Sequence, residues 1–246
     1  SLGNGAMGQR ANFEESYSGP TFQGSYIGGV YYPDKTRVGW WKNGYPEYFA
    51  KVLNAPNWIG IDVEINGTPL DLATCSNIKN FKRELNMKEG WYQRSFVATT
   101  PNNIELEVVT TRFLSLSHDE VGAIKFEITP INSDTLIVFK PYIDAGITNE
   151  DSNWDDKFWN TTKVTSEKNR AFIESHTMKT NFKVCTFMQA YTVYGDLLKS
   201  SPDSENSEEL SIGLEFTQKV KKGEKFSLVK YGGYTVDRNH EADKLT

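Results

Sequence analysis

The stretch from Pro33 to Tyr48, PDKTRVGWWKNGYPEY, concentrates residue types that can bind sugars or anions. Arg37 carries a planar fork of donors that can hydrogen-bond hydroxyl groups or an anion in a bidentate way. Trp40 and Trp41 would point to opposite sides of an extended backbone, so that one could anchor the stretch while the other projects outward. Composition alone leaves two interpretations open: a ligand-binding loop, or a loop held by its own aromatic rings or by a second domain.

A second stretch, NEDSNWDDKFWN, places carboxylates beside aromatic rings. Asp155 and Asp156 lie between Trp154 and the pair Phe158-Trp159. Sugar sites combine acceptors for hydroxyl groups with aromatic faces that stack on the apolar side of the ring. The alternative, which we favour, is a surface turn whose aromatic side chains pack down onto the rest of the domain.

Other chemistries find little support in the sequence. Zinc sites need clustered ligands, and no CxxC or HxxxH pattern occurs. The histidines are isolated: His118, His176 and His240. The glycines of LGNGAMG have the dinucleotide-binding spacing, but the strand and helix that such a fingerprint requires are not predicted around them. Turns and close backbone packing are the simpler interpretation of these glycines. We therefore predict neither a metal nor a bound cofactor.

Composition limits the class of protein. The chain has 246 residues, a net charge of −5 and a pI near 5.4, which argues against a nucleic-acid binder. No apolar run approaches the roughly 20 residues of a membrane span. Cys75 and Cys185 are expected to be free thiols. The sequence starts without an initiator Met or a signal peptide, and both ends look cut, so we expect a piece of a longer protein. The N-terminus does not indicate a compartment; a cytoplasmic location is favoured.

Alternation of apolar and polar residues with a period of two dominates the chain, and it predicts an all-β antiparallel sandwich or barrel. The clearest stripes lie at 59–65, 104–108, 124–128, 182–188 and 210–216. Asn66-Gly67 supplies the left-handed residues of a tight hairpin. Three segments break the rhythm. The first is the glycine-rich opening, residues 1–32. Residues 46–54 begin with a proline and predict a short helix, and Ser200–Glu209 predicts a solvated loop.

A long, nearly continuous run of sequence resembles a known family. The segments are LGNGAMGQRANFEE, then TFQGSYIGGVYYPDKTRVGWWKNGYPEYFAKVLNAPNWIGIDVEING, then FKRELNMKEGWYQRSF. Together they resemble the N-terminal domain of glycoside hydrolase family 65, which holds inverting disaccharide phosphorylases, and the stretch around Arg37 looks closest to the kojibiose type. The resemblance implies a single domain over residues 1–246, a large antiparallel β super-sandwich like that of galactose mutarotase. The family's (α/α)6 catalytic barrel is then expected to lie outside this chain.

The resemblance also implies a reaction. In the family a barrel glutamate directly after a tryptophan protonates the glycosidic oxygen, while inorganic phosphate, the co-substrate, attacks the anomeric carbon with inversion. No Trp-Glu pair occurs here, so no catalytic residue is expected in this chain. The domain would instead help to close the acceptor side of the pocket. Substrate contacts are expected from Arg37 and Trp41, then from Trp40 and Tyr32. The implied partners are the barrel domain of the same polypeptide and a disaccharide substrate. A second copy of the protein, in a homodimer, is a further candidate partner.

Three alternatives stay open. The parent enzyme could use water and act as a glycoside hydrolase, because the deciding residues lie outside this chain. The chain could be a free-standing carbohydrate-binding sandwich with an exposed aromatic platform. An enzyme of the mutarotase type would need a histidine acid and a carboxylate base in one cleft, and no histidine lies in a pattern that pairs it with an acid.

Overall fold

The computed structural model describes residues 1–36, 44–149 and 157–245. Within these residues the chain forms strands and no helix, so none of them belongs to an apolar helix long enough to cross a membrane. The strands are β1 (Leu2–Gly3), β2 (Met7–Gln9), β3 (Ser25–Ile27), β4 (Tyr31–Lys35), β5 (Tyr48–Val52), β6 (Ile61–Ile65), β7 (Thr68–Pro69), β8 (Asn77–Asn86), β9 (Trp91–Thr99), β10 (Glu105–Leu114), β11 (Val121–Pro130), β12 (Thr135–Asp144), β13 (Trp159–Glu167), β14 (Arg170–Thr177), β15 (Lys183–Tyr194), β16 (Leu197–Lys199), β17 (Ser204–Ser207), β18 (Ser211–Val220) and β19 (Phe226–Val236).

Two large antiparallel sheets form the body of the domain. The nine-stranded sheet has the order β13-β14-β15-β19-β11-β10-β9-β8, with β16 paired to β15. The five-stranded sheet has the order β17-β18-β12-β6-β7. Two small sheets, β1-β2-β3 and β4-β5, complete the structure. The all-β antiparallel sandwich predicted from the period-two pattern is therefore confirmed.

The core lies between the two large sheets, where the alternating apolar side chains meet. Phe139 of β12 packs against Phe126 of β11 with ring centroids 5.5 Å apart, and against Phe226 of β19 at 5.0 Å. All three side chains are almost fully buried. Burial of such rings is the main source of stability, since each contributes several times the free energy of a surface contact.

A buried ionic cluster fastens the N-terminal segment to the larger sheet. Arg94 of β9 donates to Glu15 Oε1 at 2.6 Å and lies 3.0 Å from Glu14 Oε2, and all three side chains have 0% exposure. Arg112 of β10 donates to the Arg10 carbonyl at 3.1 Å. Each buried charge thus meets an opposite charge or a backbone acceptor, as burial of a charged group requires.

Two local predictions were wrong. The short helix predicted for residues 46–54 is absent, because Tyr48–Val52 form β5 and pair with β4. Aromatic residues and valine favour extended structure, and a ladder partner outweighs a weak helical tendency. The solvated loop predicted for residues 200–209 contains the edge strand β17, which pairs with β18 although its four side chains are exposed.

Turn and cysteine predictions held. Asn66 and Gly67 have φ of 49° and 77°, which is the backbone of a tight hairpin turn between β6 and β7. Gly5, with φ of 94°, lies in the turn between β1 and β2, so the glycine-rich opening forms a hairpin. Cys75 and Cys185 are free thiols.

Candidate functional site

A two-stranded arm carries the aromatic-rich stretch that the sequence singled out. Strands β4 and β5 pair from Tyr31 opposite Val52 to Lys35 opposite Tyr48, and neither strand joins another sheet. The Thr36 amide continues the ladder by donating to the Glu47 carbonyl at 2.8 Å. The predicted contact residues Arg37, Trp40 and Trp41 belong to the segment between the two strands, and they lie outside the described residues.

The arm is anchored at its base by an aromatic contact. Tyr32, the fourth predicted contact residue, is only 8% exposed, and its ring meets Phe158 edge-on with centroids 4.7 Å apart. The ammonium group of Lys179 lies over the Tyr32 ring, with Nζ 4.4 Å from the ring centroid. The same group donates a hydrogen bond to the Pro33 carbonyl at 3.2 Å. These contacts fix the first strand of the arm against Phe158, which precedes β13, and against Lys179 in the β14–β15 connection.

A buried ion pair joins the two strands of the arm. Lys51 Nζ lies 2.9 Å from Asp34 Oδ2, and both side chains are less than a tenth exposed. The same ammonium group lies 5.2 Å from the centroid of the Phe158 ring. A buried pair of this kind adds little net stability, but it disfavours any register in which the two charges separate.

Asn149 fastens the second strand of the arm to the domain. Its side chain accepts from the Asn54 amide at 2.8 Å and donates to the Val52 carbonyl at 2.9 Å. Trp159 Nε1 donates to the Asn54 carbonyl at 2.8 Å. Asn149 and Trp159, which lie on either side of segment 150–156, therefore hold the base of the arm at Val52 and Asn54.

The favoured interpretation of the second stretch is confirmed for its described aromatic residues. Phe158 and Trp159 are 3% and 9% exposed and pack down onto the domain. Trp154, Asp155 and Asp156 lie outside the described residues.

The arm exposes an apolar surface that sequence analysis missed. The exposed fractions are 40% for Tyr31, 58% for Tyr45, 50% for Tyr48, 44% for Phe49 and 61% for Val52. Isolated two-stranded hairpins are marginal in water, and exposed apolar patches usually mark a partner surface. For Tyr48, Phe49 and Val52 the signal was hidden because residues 46–54 were assigned to a helix, which has no exposed strand face.

The described residues offer no sugar-sized acid–base cleft of the mutarotase type. His240 contacts the Glu120 carboxylate through Nε2. The neighbouring cavity, lined by Glu120, Tyr234 and Arg238 among others, has a volume of about 40 Å³, which suits a water molecule rather than a sugar. Among the described residues no group of three potential metal ligands occurs.

Comparison with known proteins gives a consistent family relationship. The family model described as Glycosyl hydrolase family 65, N-terminal domain, matches residues 1–246. The chain is 38% identical over 245 residues to the maltose phosphorylase of Bacillus subtilis (strain 168), covering 100% of this chain and 32% of that protein. It is 30% identical over 260 residues to the alpha,alpha-trehalose phosphorylase of Thermoanaerobacter brockii, covering 99% of this chain and 32% of that protein.

Kojibiose phosphorylases also match. That of Thermoanaerobacter brockii is 31% identical over 148 residues, covering 60% of this chain and 17% of that protein. The solved structure "Putative kojibiose phosphorylase from human microbiome" superposes with a TM-score of 0.83 and 25% identity, covering 98% of this chain and 30% of that chain. The chain thus spans about a third of the length of the curated relatives that match it throughout.

Proposed function

The chain is an N-terminal domain of glycosyl hydrolase family 65. We propose that it is the non-catalytic domain that completes the substrate pocket of a disaccharide phosphorylase. Two relatives that match the whole chain carry the names maltose phosphorylase and trehalose phosphorylase, which supports this reaction class. The chain would form about the first third of the enzyme, with an (α/α)6 barrel as its partner domain.

The proposed reaction is phosphorolysis with inversion. A phosphate oxygen forms the new bond to the anomeric carbon, the glycosidic C–O bond breaks, and a barrel glutamate gives its proton to the departing oxygen. The products are β-glucose 1-phosphate and a free sugar. Because phosphate is already a nucleophile at neutral pH, no second carboxylate base is required, in contrast to an inverting hydrolase. Phosphate is the only co-substrate, and no cofactor is involved.

The observation that carries the proposal is the arm. Its base is fixed by the buried Tyr32–Phe158 contact, while its outer residues Tyr48 and Phe49 remain exposed. A rigid base with an apolar outer part suits an element that docks onto a neighbouring domain. We assign the docking face to the barrel, at the acceptor side of its pocket.

Each predicted contact residue receives a role in this proposal. Arg37 hydrogen-bonds hydroxyl groups of the acceptor sugar, and Trp41 walls the pocket and excludes water, which would otherwise replace phosphate and give hydrolysis. Trp40 contributes to the same wall. Tyr32 acts through the arm as a positioning residue, since its ring is buried at the base.

The substrate is proposed to be an α-linked diglucoside. Sequence identity is highest, among the relatives described, with a maltose phosphorylase across the whole chain, whereas the kojibiose phosphorylase match covers 60% of it. Maltose, trehalose and kojibiose are therefore the substrates that the test must separate.

The test uses the full-length enzyme with maltose, kojibiose and trehalose, each with and without phosphate, and follows the products by NMR. We expect phosphate-dependent release of β-glucose 1-phosphate from one of them. Glucose released at the same rate without phosphate would identify a hydrolase. Binding of sugar without turnover of any disaccharide would favour a free-standing carbohydrate-binding module.

A further inference from the structure

A groove on the outer face of the five-stranded sheet has the form of a ligand site. It has a volume of about 490 Å³ and is lined by residues of β6, β12, β17 and β18 together with Glu208. Small-molecule sites typically have volumes of roughly 300–1,000 Å³, which places this groove in the range of a mono- or disaccharide. Its lining mixes one aromatic ring with carboxylates, an ammonium group, hydroxyl groups and an amide.

The floor of the groove follows from one row of residues across the sheet. Tyr142 of β12 donates from its amide to the Gly60 carbonyl at 3.0 Å on one side and is paired with Gly213 of β18 on the other. Gly213 is paired in turn with Asn206 of β17. The row Gly60–Tyr142–Gly213–Asn206 therefore holds an aromatic residue between two glycines.

The two glycines differ in whether their surroundings would accept a side chain. A Cβ at Gly60 would lie 2.2 Å from Cζ of Tyr142, so the ring leans over Gly60 and requires a glycine there. A Cβ at Gly213 would meet only Tyr142 Cβ at 3.4 Å and the Pro141 carbonyl at 3.5 Å, and the φ angle of Gly213 is not left-handed. The backbone thus tolerates a side chain at position 213, and the open space there is the groove itself.

A buried lysine fixes the backbone beneath the Tyr142 ring. Lys230, fully buried on β19, donates to the Gly60 carbonyl at 2.8 Å and to the Tyr142 carbonyl at 2.7 Å. Burial, followed by the carboxylates of Asp62 and Asp144, raises the pKa of the Tyr142 phenol, so this group, which is protonated at neutral pH even at its ordinary pKa, keeps its proton over a wider pH range. It can therefore donate a hydrogen bond to a ligand.

The charged side chains that line the groove determine which class of ligand it can bind. The carboxylates of Asp62, Asp144, Glu208 and Glu215 outnumber the ammonium group of Lys140, which itself contacts Glu64. A phosphate or another anion would be repelled by this excess of negative charge. Neutral sugar hydroxyl groups, in contrast, donate well to carboxylates, and the apolar face of a sugar ring stacks on an aromatic ring.

We propose that this groove binds a neutral saccharide, with one sugar ring over Gly213, its C–H groups against the side of Tyr142 and its hydroxyl groups on Asp144 and Asn206. The site rests on side chains of the smaller sheet and does not involve the arm. It would hold a sugar on the N-terminal domain whether or not the proposed phosphorylase reaction is correct.

Saturation-transfer NMR on the 246-residue chain with maltose as the probe tests the site. We expect transfer to maltose, and Gly213→Gln, which fills the floor, should weaken binding about tenfold or more. Leu136→Gln is the matched control, because Leu136 lies on the same face of β12, is 42% exposed and does not line the groove. This control should bind maltose as the unchanged chain does.

A second variant tests the site in case Gly213→Gln fails to fold. Asn206 is exposed on an edge strand, so Asn206→Ala should fold normally, as judged by circular dichroism, and still weaken maltose binding severalfold. Glucose 6-phosphate should bind more weakly than maltose because of its charge. The proposal is overturned if the unchanged chain shows no transfer to maltose, if Gly213→Gln binds like Leu136→Gln, or if glucose 6-phosphate binds as tightly as maltose.

Discussion

Tyr32 and Phe158 meet edge-to-face at a centroid distance of 4.7 Å, although 126 positions of sequence separate them. This contact links the base of the β4–β5 arm to the segment that leads into β13. Both side chains are buried, whereas the outer aromatic residues of the same arm are exposed. The arm therefore combines a fixed base with an apolar outer surface, and the two parts should respond differently to substitution.

The first prediction compares these two parts. Phe158→Ala removes a buried ring at the base and should lower the free energy of unfolding by about 3–5 kcal/mol. Phe49→Ala is the matched control, since Phe49 is 44% exposed. It should change the stability of the isolated chain by less than about 0.5 kcal/mol. Urea denaturation of both variants measures the difference, and equal losses of stability would contradict the assigned base of the arm.

The second prediction concerns the ionic cluster beneath the N-terminal segment. Arg94→Met would leave the carboxylates of Glu14 and Glu15 buried without this partner and should lower the free energy of unfolding by about 3–5 kcal/mol. Lys82→Met on β8 removes a surface ion pair with Glu84 and should lower it by less than about 1 kcal/mol. Thermal unfolding followed by circular dichroism distinguishes them. A mild effect of Arg94→Met would mean that the N-terminal segment is not held by these charges.

The third prediction concerns pH. Burial lowers the pKa of Lys230 well below that of free lysine, against the smaller opposing effect of Asp62. Between the folded-state pKa and the unfolded value of about 10.5 the unfolded chain binds more protons. Stability should therefore rise with pH in this interval, by at most about 1.4 kcal/mol per pH unit from this group.

Lys230→Met removes this titration. Its free energy of unfolding should increase less than that of the unchanged chain as the pH is raised from neutral to about 10. The quantity to compare is the slope of the free energy of unfolding against pH. The absolute stability is less informative, because the substitution also removes two hydrogen bonds to backbone carbonyls. Lys219→Met, at an exposed position of β18, is the control and should keep the original slope. Equal slopes for Lys230→Met and the unchanged chain would show that Lys230 is charged in the folded protein.

Local sequence patterns predicted the strands of the sandwich well, because a period of two follows directly from the geometry of a half-buried strand. The strand at Ile61–Ile65 and its Asn66-Gly67 turn are examples, since both signals lie within a few residues. The strand at Tyr48–Val52 was missed because it has no buried face of its own and depends on its partner β4.

The parts of the candidate sites that depend on distant residues had no local signal. Phe158 and Tyr32 meet only in the folded chain, and the groove requires Tyr142, Gly213 and Asn206 in one row of three strands. A single sequence does not contain the strand register that brings such residues together. The aromatic-rich composition of residues 33–48 did indicate a functional stretch, but it did not indicate that this stretch forms an arm.

The central claim is that the arm completes the acceptor side of the pocket. The direct test is steady-state kinetics of the full-length enzyme in the direction of synthesis, with β-glucose 1-phosphate as donor and glucose as acceptor. Arg37→Ala is compared with Arg170→Ala, an identical substitution at an exposed position on β14. We expect Arg37→Ala to raise the KM for the acceptor about tenfold or more, since hydrogen bonds from a charged donor are lost, and to leave the KM for the donor unchanged. An acceptor KM equal to that of Arg170→Ala, or equal increases in both KM values, would contradict the account.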